Sequence, residues 1–258
     1  MELHWSNLNT LMKCGVLWEF IDTCGPRPPR SAMIVGSSLH DTTEQDLGCK
    51  MKTGILLPDD DVMDAARDAV IARVDREGLA LMEDERFFGR AVTIDAMKDQ
   101  AVGLAVLHHE KAAPRIEPVA LERSWILDFA DTGHTLAGRI DIEEIRSVID
   151  TKTTNKAPTQ KWADTSDQLT MYTIAKSVLD GIPPEEIGLR FDCLHKLKTP
   201  KYKPFETKRT QGDIDALLLK IQTALKVIEA GVFMPTSREN WWCSPEWCAF
   251  YEECPYTG

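Results

Sequence analysis

Residues 136–153 read LAGRIDIEEIRSVIDTKT. Two alternating apolar and polar runs, HTLAGRIDI and RSVIDTKT, flank a polar EEIR turn, the pattern of an antiparallel hairpin. In a strand, side chains two apart point the same way, so Asp150 and Lys152 share one face while Ile149 and Thr151 take the other. A symmetric turn centred between Ile145 and Arg146 pairs position 141 with position 150, which brings Asp141 and Asp150 to about 5 Å between Cβ atoms. Two facing carboxylates repel, and a shared cation relieves the repulsion. Mg²⁺ or Mn²⁺ fits an oxygen-rich site that leaves room for water. Lys152 then stands beside the ion, where an ammonium can meet negative charge building on a phosphorus under attack. An isolated Asp-x-Lys is ordinarily an exposed ion pair worth little, so the surroundings decide.

Upstream of the hairpin, VALERSWILDF (119–129) alternates as a third strand. Before it the chain is mostly helical. SNLNTLMKCGVLWEFIDT (6–23) has helical spacing with Ser6 or Asn7 as cap. After the turn-rich CGPRPPR, SAMIVGSSLHDTTEQDL (31–47) carries His40 and Glu44 at i and i+4. Further amphipathic helices are predicted at 60–76 and about 92–110. The acidic PDDDVMDAARD at 58–68 lacks the spacing, glycine and closing glutamate of a calcium loop. It reads as a solvated helix start.

Downstream, TNKAPTQKWAD reads as a flexible segment. Thr165 or Ser166 then caps a helix to about Leu179, with Gly181 and two prolines as the stop. Gln168 and Tyr172 share one face of that helix. IGLRFDCLHKLK is a strand, a short strand follows around Phe205, and GDIDALLLKIQTALKVIEAG is an amphipathic helix.

The 258 residues, 43% hydrophobic, suffice for one large domain. No apolar run reaches the roughly 18 residues needed to span a bilayer, and MELHWSNLNT lacks the pattern of a secretory signal. The expected compartment is the cytoplasm of a bacterial, archaeal or phage-infected cell, with no membrane partner. A net charge of −11 argues against coating nucleic acid through a general positive field. A local basic track remains: seven Lys or Arg between Arg190 and Thr210 stand against Asp192 and Glu206. Seven cysteines without an export signal point to metal ligation or burial rather than disulfides. Cys243, Cys248 and Cys254 crowd the tail. Cys49 and Cys193 read as small buried hydrophobes.

GRIDI, VIDTKT and QLTMY, in that order, resemble the Gly-h-h-Asp, Asp-x-Lys and Gln-x-x-x-Tyr motifs of the RecB-like branch of the PD-(D/E)XK nucleases. GSSLH at 36–40 is similar to the helical motif that precedes the sheet in that branch. The likeness spans about Cys14 to Cys254 and extends to CRISPR-associated adaptation exonucleases and phage-encoded relatives. It implies an α/β fold with a restriction-endonuclease-like mixed sheet core flanked by helices, a helical N-terminal cap and a cysteine-rich C-terminal staple. By the same resemblance His40, Asp141, Asp150 and the Thr151 carbonyl hold the metal and Lys152 is the catalytic lysine. Gln168 and Tyr172 line the site, Tyr172 by stacking on a base or contacting phosphate. Glu122 matches a supporting glutamate, while Glu44 is expected to be solvated.

Iron–sulfur members of the branch take one cysteine before the first helical motif and three after the core. Cys14, Cys243, Cys248 and Cys254 fit that layout, with Cys24 the runner-up for the first place. A [4Fe-4S] cluster is implied, with Zn²⁺ the alternative. Its role would be to tie the two ends of the chain together.

The whole reads as a single nuclease domain over 1–258: a mostly helical part at 1–115, a core at 116–232, and a cluster-binding tail at 233–258 closing onto the N-terminal helix. The expected activity is metal-dependent exonucleolytic hydrolysis of DNA, preferring single strands. Lys156, Lys161, Lys196, Lys198, Lys201 and Lys203 would line the strand's path. A helicase, recombination or CRISPR-adaptation partner would be a separate chain, since no helicase motif is present. Two other classes stand beside this reading: an inactive DNA-binding or assembly subunit with the same fold, and a zinc-stapled interaction module.

Overall fold

The computed structural model describes residues 1–129 and 132–257. The strands are β1 (Glu2–His4), β2 (Ala120–Phe129), β3 (His134–Glu143), β4 (Ser147–Thr154), β5 (Gly188–His195) and β6 (Lys201–Thr207). The helices are α1 (Trp5–Lys13), α2 (Gly15–Cys24), α3 (Ser31–Thr53), α4 (Asp59–Glu77), α5 (Glu83–Phe88), α6 (Arg90–Lys111), α7 (Gln160–Asp164), α8 (Asp167–Asp180) and α9 (Gln211–Ala230). Two compact units are present. The larger comprises Pro28–Trp125 and Arg139–Thr210, and the smaller Met1–Arg27, Ile126–Gly138 and Gln211–Gly258. Strands β2 and β3, which pair with each other, contribute residues to both.

In the larger unit β3 and β4 run antiparallel, β4 and β5 parallel, and β5 and β6 antiparallel, making a mixed sheet. Ile142 pairs with Ile149 and Glu143 with Val148, the register of a turn centred between Ile145 and Arg146. A parallel pair is covered on both faces, and β4 and β5 accordingly bury Val148, Ile149, Asp150 and Thr151 with Leu189 and Phe191 to His195. Helices α3, α4 and α6 close on a core of Ile34, Val35, Leu39, Val62, Val70, Met97 and Leu104, to which β5 adds Leu194. Ala66, Ala101 and Ala105 are fully or nearly fully buried in that core. Small side chains there let helix axes approach closely. On the opposite face α8 covers the sheet, with Tyr172 against Asp150 and Lys176 against Glu143. The sheet and its helices therefore form the mixed α/β, restriction-endonuclease-like arrangement expected from the sequence.

In the smaller unit β1 pairs in parallel with the first half of β3, Leu3 opposite Leu136. The Gly15 amide donates to the Met234 carbonyl at 2.9 Å. A Cβ at position 15 would stand 3.0 Å from the Met234 nitrogen, so any larger residue would have to push the Met234 backbone aside, and glycine favours this approach. Trp18 packs on Phe233 and Phe20 on Phe250, each pair 5.1 Å apart between ring centroids.

Several local expectations change. The first helix begins at Trp5 with His4 at its cap position, not at Ser6 or Asn7, because β1 delivers the chain directly into it. It also breaks at Cys14, whose backbone is extended. The segment read as flexible folds into α7, capped by the Thr159 side chain accepting from the Trp162 amide. Helix α5 and strand β1 were not anticipated. Ser166 caps α8 as expected, accepting from the Leu169 amide. The acidic run forms the first turn of α4, with Asp59, Asp60 and Asp61 at its positive end. Cys193 is buried, whereas Cys49 is only partly so, its sulfur 3.7 Å from Thr53 Oγ1. Among the described residues no helix is long and apolar enough to cross a membrane.

Candidate active site

The hairpin delivers Asp141 from β3 and Asp150 with Lys152 from β4, and α3 brings His40 to them. Asp141 Oδ2 lies 3.1 Å from His40 Nδ1 and accepts the Thr151 amide at 3.2 Å. Glu122 of β2 joins from the side, its Oε1 4.0 Å from His40 Nδ1. Its Oε2 is 2.6 Å from Arg139 Nε. One ligand atom each from His40, Glu122 and Asp141 lies within 4.8 Å of the other two. Glu122 adopts φ +48°, the only positive φ at a non-glycine among the described residues. A side chain in that region costs of order 1–3 kcal/mol and persists where the surroundings enforce it.

Asp150 is fully buried. Its Oδ1 accepts the Tyr172 hydroxyl at 3.3 Å, and that hydroxyl in turn accepts from Gln168 Nε2 at 2.8 Å. Its Oδ2 is ion-paired with the Lys152 ammonium at 2.7 Å. The ion pair is thus buried and one-sided rather than exposed. Tyr172 is itself buried, so it orients Asp150 and has no ring face free to stack on a base.

Electrostatics follow from this crowding. Burial pushes Asp150 up to about 6, with Asp141 adding to the rise against the pull of Lys152. Burial and the Asp141 charge push Glu122 up to about 7, opposed by Arg139 and His40. Asp141 is held below its usual range: burial opposes its charge, but His40, Lys152 and the Thr151 amide outweigh that. For Lys152 burial works against the charged form, and Asp150 and Asp141 more than offset it, so the amine stays an ammonium. For His40 burial likewise opposes the charge and Asp141 overrides it.

A hard divalent cation fits these residues. The donors are mostly carboxylate oxygens with one imidazole, and burial, with the neighbouring Asp141 charge, raises the pKa of both Glu122 and Asp150, a cost that a bound cation relieves.

Behind the site lies an ion network that the sequence did not announce. Glu143 receives Arg123 Nε at 2.5 Å and Lys176 Nζ at 3.1 Å, and Lys176 also reaches Asp180 at 2.9 Å. Gln168, Tyr172, Lys176 and Asp180 recur every fourth residue, one face of α8. That spacing was a readable signal; the partners across the sheet were not. Glu44 is exposed, as expected.

Of the anticipated strand-lining lysines, Lys156, Lys161, Lys198, Lys201 and Lys203 are exposed. Lys203 shares a cross-strand row with Cys193 and Lys152, about 10 Å from the latter across two strand spacings. Lys196 is partly buried and donates to the Ala32 carbonyl at 3.1 Å. In the smaller unit Cys14, Cys243, Cys248 and Cys254 line one cavity. Cys24 is exposed and is not among its lining residues. Cys14 Sγ accepts the Thr236 amide at 3.4 Å.

Residues 3–255 match the family model described as the PD-(D/E)XK nuclease superfamily. No curated protein matches the chain. Among solved structures it is similar to the crystal structure of a "Putative exonuclease" from Eubacterium rectale, at 11% identity and a TM-score of 0.62, over 94% of this chain and 86% of that one.

Proposed function

Since the chain belongs to the PD-(D/E)XK nuclease superfamily, we propose that it is a metal-dependent deoxyribonuclease of the RecB-like branch. It acts as an exonuclease that prefers single strands. The observation that carries the reading is the convergence of His40, Glu122 and Asp141 beside a buried Asp150 that is ion-paired to Lys152 at 2.7 Å. His40, Asp141, Asp150 and the Thr151 carbonyl hold Mg²⁺ or Mn²⁺, with Glu122 added to the set. When bound, the ion supplies Lewis-acid polarisation of the phosphate and a more acidic water. Lys152, kept protonated by two carboxylates, offers fixed positive charge to the phosphoryl oxygens as negative charge accumulates there. Tyr172, steadied by Gln168, holds the rotamer of Asp150. Lys156, Lys161, Lys196, Lys198, Lys201 and Lys203 guide the strand by phosphate contacts.

Cys14, Cys243, Cys248 and Cys254 hold a structural iron–sulfur cluster, supported by their shared cavity. Thiolate donors converging from distant segments suit such a cluster, and also Zn²⁺. Anaerobically purified protein should contain iron and acid-labile sulfide; zinc without sulfide would reverse the assignment. The cytoplasm is the proposed compartment, with any unwinding partner on another chain.

The activity is tested by incubating wild-type protein and Lys152→Ala with end-labelled single- and double-stranded DNA in Mg²⁺ or Mn²⁺. Wild type should shorten single strands from an end, and the variant should be slower by about 10² to 10³. Equal release of nucleotides by the two proteins removes Lys152 from the chemistry. Strand binding without cleavage by either would mark an inactive binding subunit.

A further inference from the structure

A cleft of about 340 Å³ opens in the larger unit where β4 and β5 end, lined among others by Val35, Phe88, Val92, Gln100, Asn155 and Lys196. This volume lies within the range of small-ligand pockets. Three elements lead to it from the candidate active site. Asn155, the residue after β4, follows Lys152 by three positions, about 10 Å at strand rise. Lys196 follows Cys193, the cross-strand partner of Lys152, by the same number, and its amide donates to the Thr154 carbonyl at 2.8 Å. Val35 precedes His40 by five residues on α3, about 7.5 Å at helical rise.

Two features of the cleft ask for a ligand. Phe88 is 64% exposed and Val92 57%, so an aromatic ring and an aliphatic side chain face solvent at its rim. Lys196 is partly buried, its only described partner is the neutral Ala32 carbonyl, and burial holds its amine below the usual lysine range with no carboxylate counteracting. A desolvated cation without a counter-ion is costly, and an anion arriving beside it recovers that cost. An aromatic ring and an amine without a counter-ion lining one cleft suit a nucleotide, the ring stacking on a base and the amine meeting a phosphate, while the cleft's carboxylate, Glu85, is already engaged by the Ser31 hydroxyl and the Met82 amide.

We propose that this cleft seats one unpaired base of the substrate strand, stacked on Phe88, with the adjoining phosphate on Lys196, upstream or downstream of the bond that is hydrolysed. The proposal rests on the nuclease reading and adds a subsite to it. Such a seat accepts only a base free of its complement, which gives a preference for single strands a physical origin.

The test uses the full chain, Ca²⁺ in place of the catalytic ion, and a fluorescein-labelled oligothymidylate read by anisotropy. A single abasic position is walked along the strand. For wild type, one abasic position should weaken binding about tenfold or more, the size of one base–aromatic stack. Phe88→Ala should weaken binding of the intact strand by a similar factor and lose sensitivity to that position. Phe88→Trp should restore both. Phe88 is exposed, so these variants keep the fold, which circular dichroism checks. If wild type and Phe88→Ala respond alike to every abasic position while wild type still cuts DNA in Mn²⁺, the cleft assignment is overturned and the nuclease reading stands. If wild type neither binds nor cuts any strand, both fall. If Phe88→Ala instead changes only the sedimentation behaviour, the patch is a protein interface and the proposal is wrong.

Discussion

Asp150 and Asp141 raise the pKa of Lys152 against the effect of burial, which favours electrostatic stabilisation as its contribution. Lys152→Gln, which keeps a polar side chain of similar reach, should therefore bind single strands like wild type while hydrolysing them about 10² to 10³ times more slowly, as single-turnover assays and anisotropy can separate. A different residue governs acid tolerance. His108 of α6 is buried with Nε2 unpartnered, and burial lowers its pKa from 6.5 to about 4, outweighing Asp192 and Asp46 on one side and joined by His40 and Arg190 on the other. The unfolded chain takes up the proton first, so the contribution is complete above pH 6.5 and shrinks as pH falls towards about 4. The loss is about 3 kcal/mol over that window. Urea titrations at both ends of it should show wild type losing more stability than His108→Phe by about that amount. At this scale Asp141, Asp150 and Lys152 were legible, because strand alternation and a symmetric turn settle which side chains meet. Glu122 was only partly so: nothing local distinguishes it from a solvent-facing glutamate, and its place depends on how β2 lies beside β3.

Helix α8 shows how one element serves two ends of the sheet. Its first two turns steady Asp150 through Gln168 and Tyr172, and its last two neutralise Glu143 and Asp180 through Lys176. Removing the amine in Lys176→Ala leaves Glu143, 1% exposed, with Arg123 alone. The expected cost is about 3–5 kcal/mol, as for other broken buried pairs, measured by denaturant unfolding. Tyr172→Phe deletes two hydrogen bonds at the site and should lower cleavage more than stability, the latter by about 1 kcal/mol. The helix and its cap were readable from Ser166 and the apolar spacing. The ion network across the sheet was not, since the partners of Arg123 lie 20 and 57 residues away and charge alone does not name them. Strand β1 escaped for a related reason: three residues carry no periodicity, and only pairing with β3 makes them a strand. The α1–α2 break is equally local in outcome but not in cause, since the Gly15 amide is held by Met234.

For the molecule as a whole, the mixed sheet and its helical layers were legible from the order of patterned segments. The division into two units was not, because β2 and β3 each pass through both. Cys14 and the three tail cysteines belong to the smaller unit, joining segments far apart in sequence around one cavity. The cluster proposed there would contribute folding free energy as well as occupancy. Cys14→Ser should lose iron and lower the melting temperature, and chelation of wild type should reproduce the shift, whereas Cys24→Ser should do neither. Iron content that follows Cys24 instead would move the fourth ligand.

The left-handed backbone at Glu122 carries a further implication. Glycine tolerates that conformation freely, so Glu122→Gly should melt higher than wild type even though it discards a metal-facing carboxylate. Directed evolution for heat resistance alone would then enrich variants that lack this carboxylate, and any library built on this scaffold needs a catalytic screen alongside the thermal one.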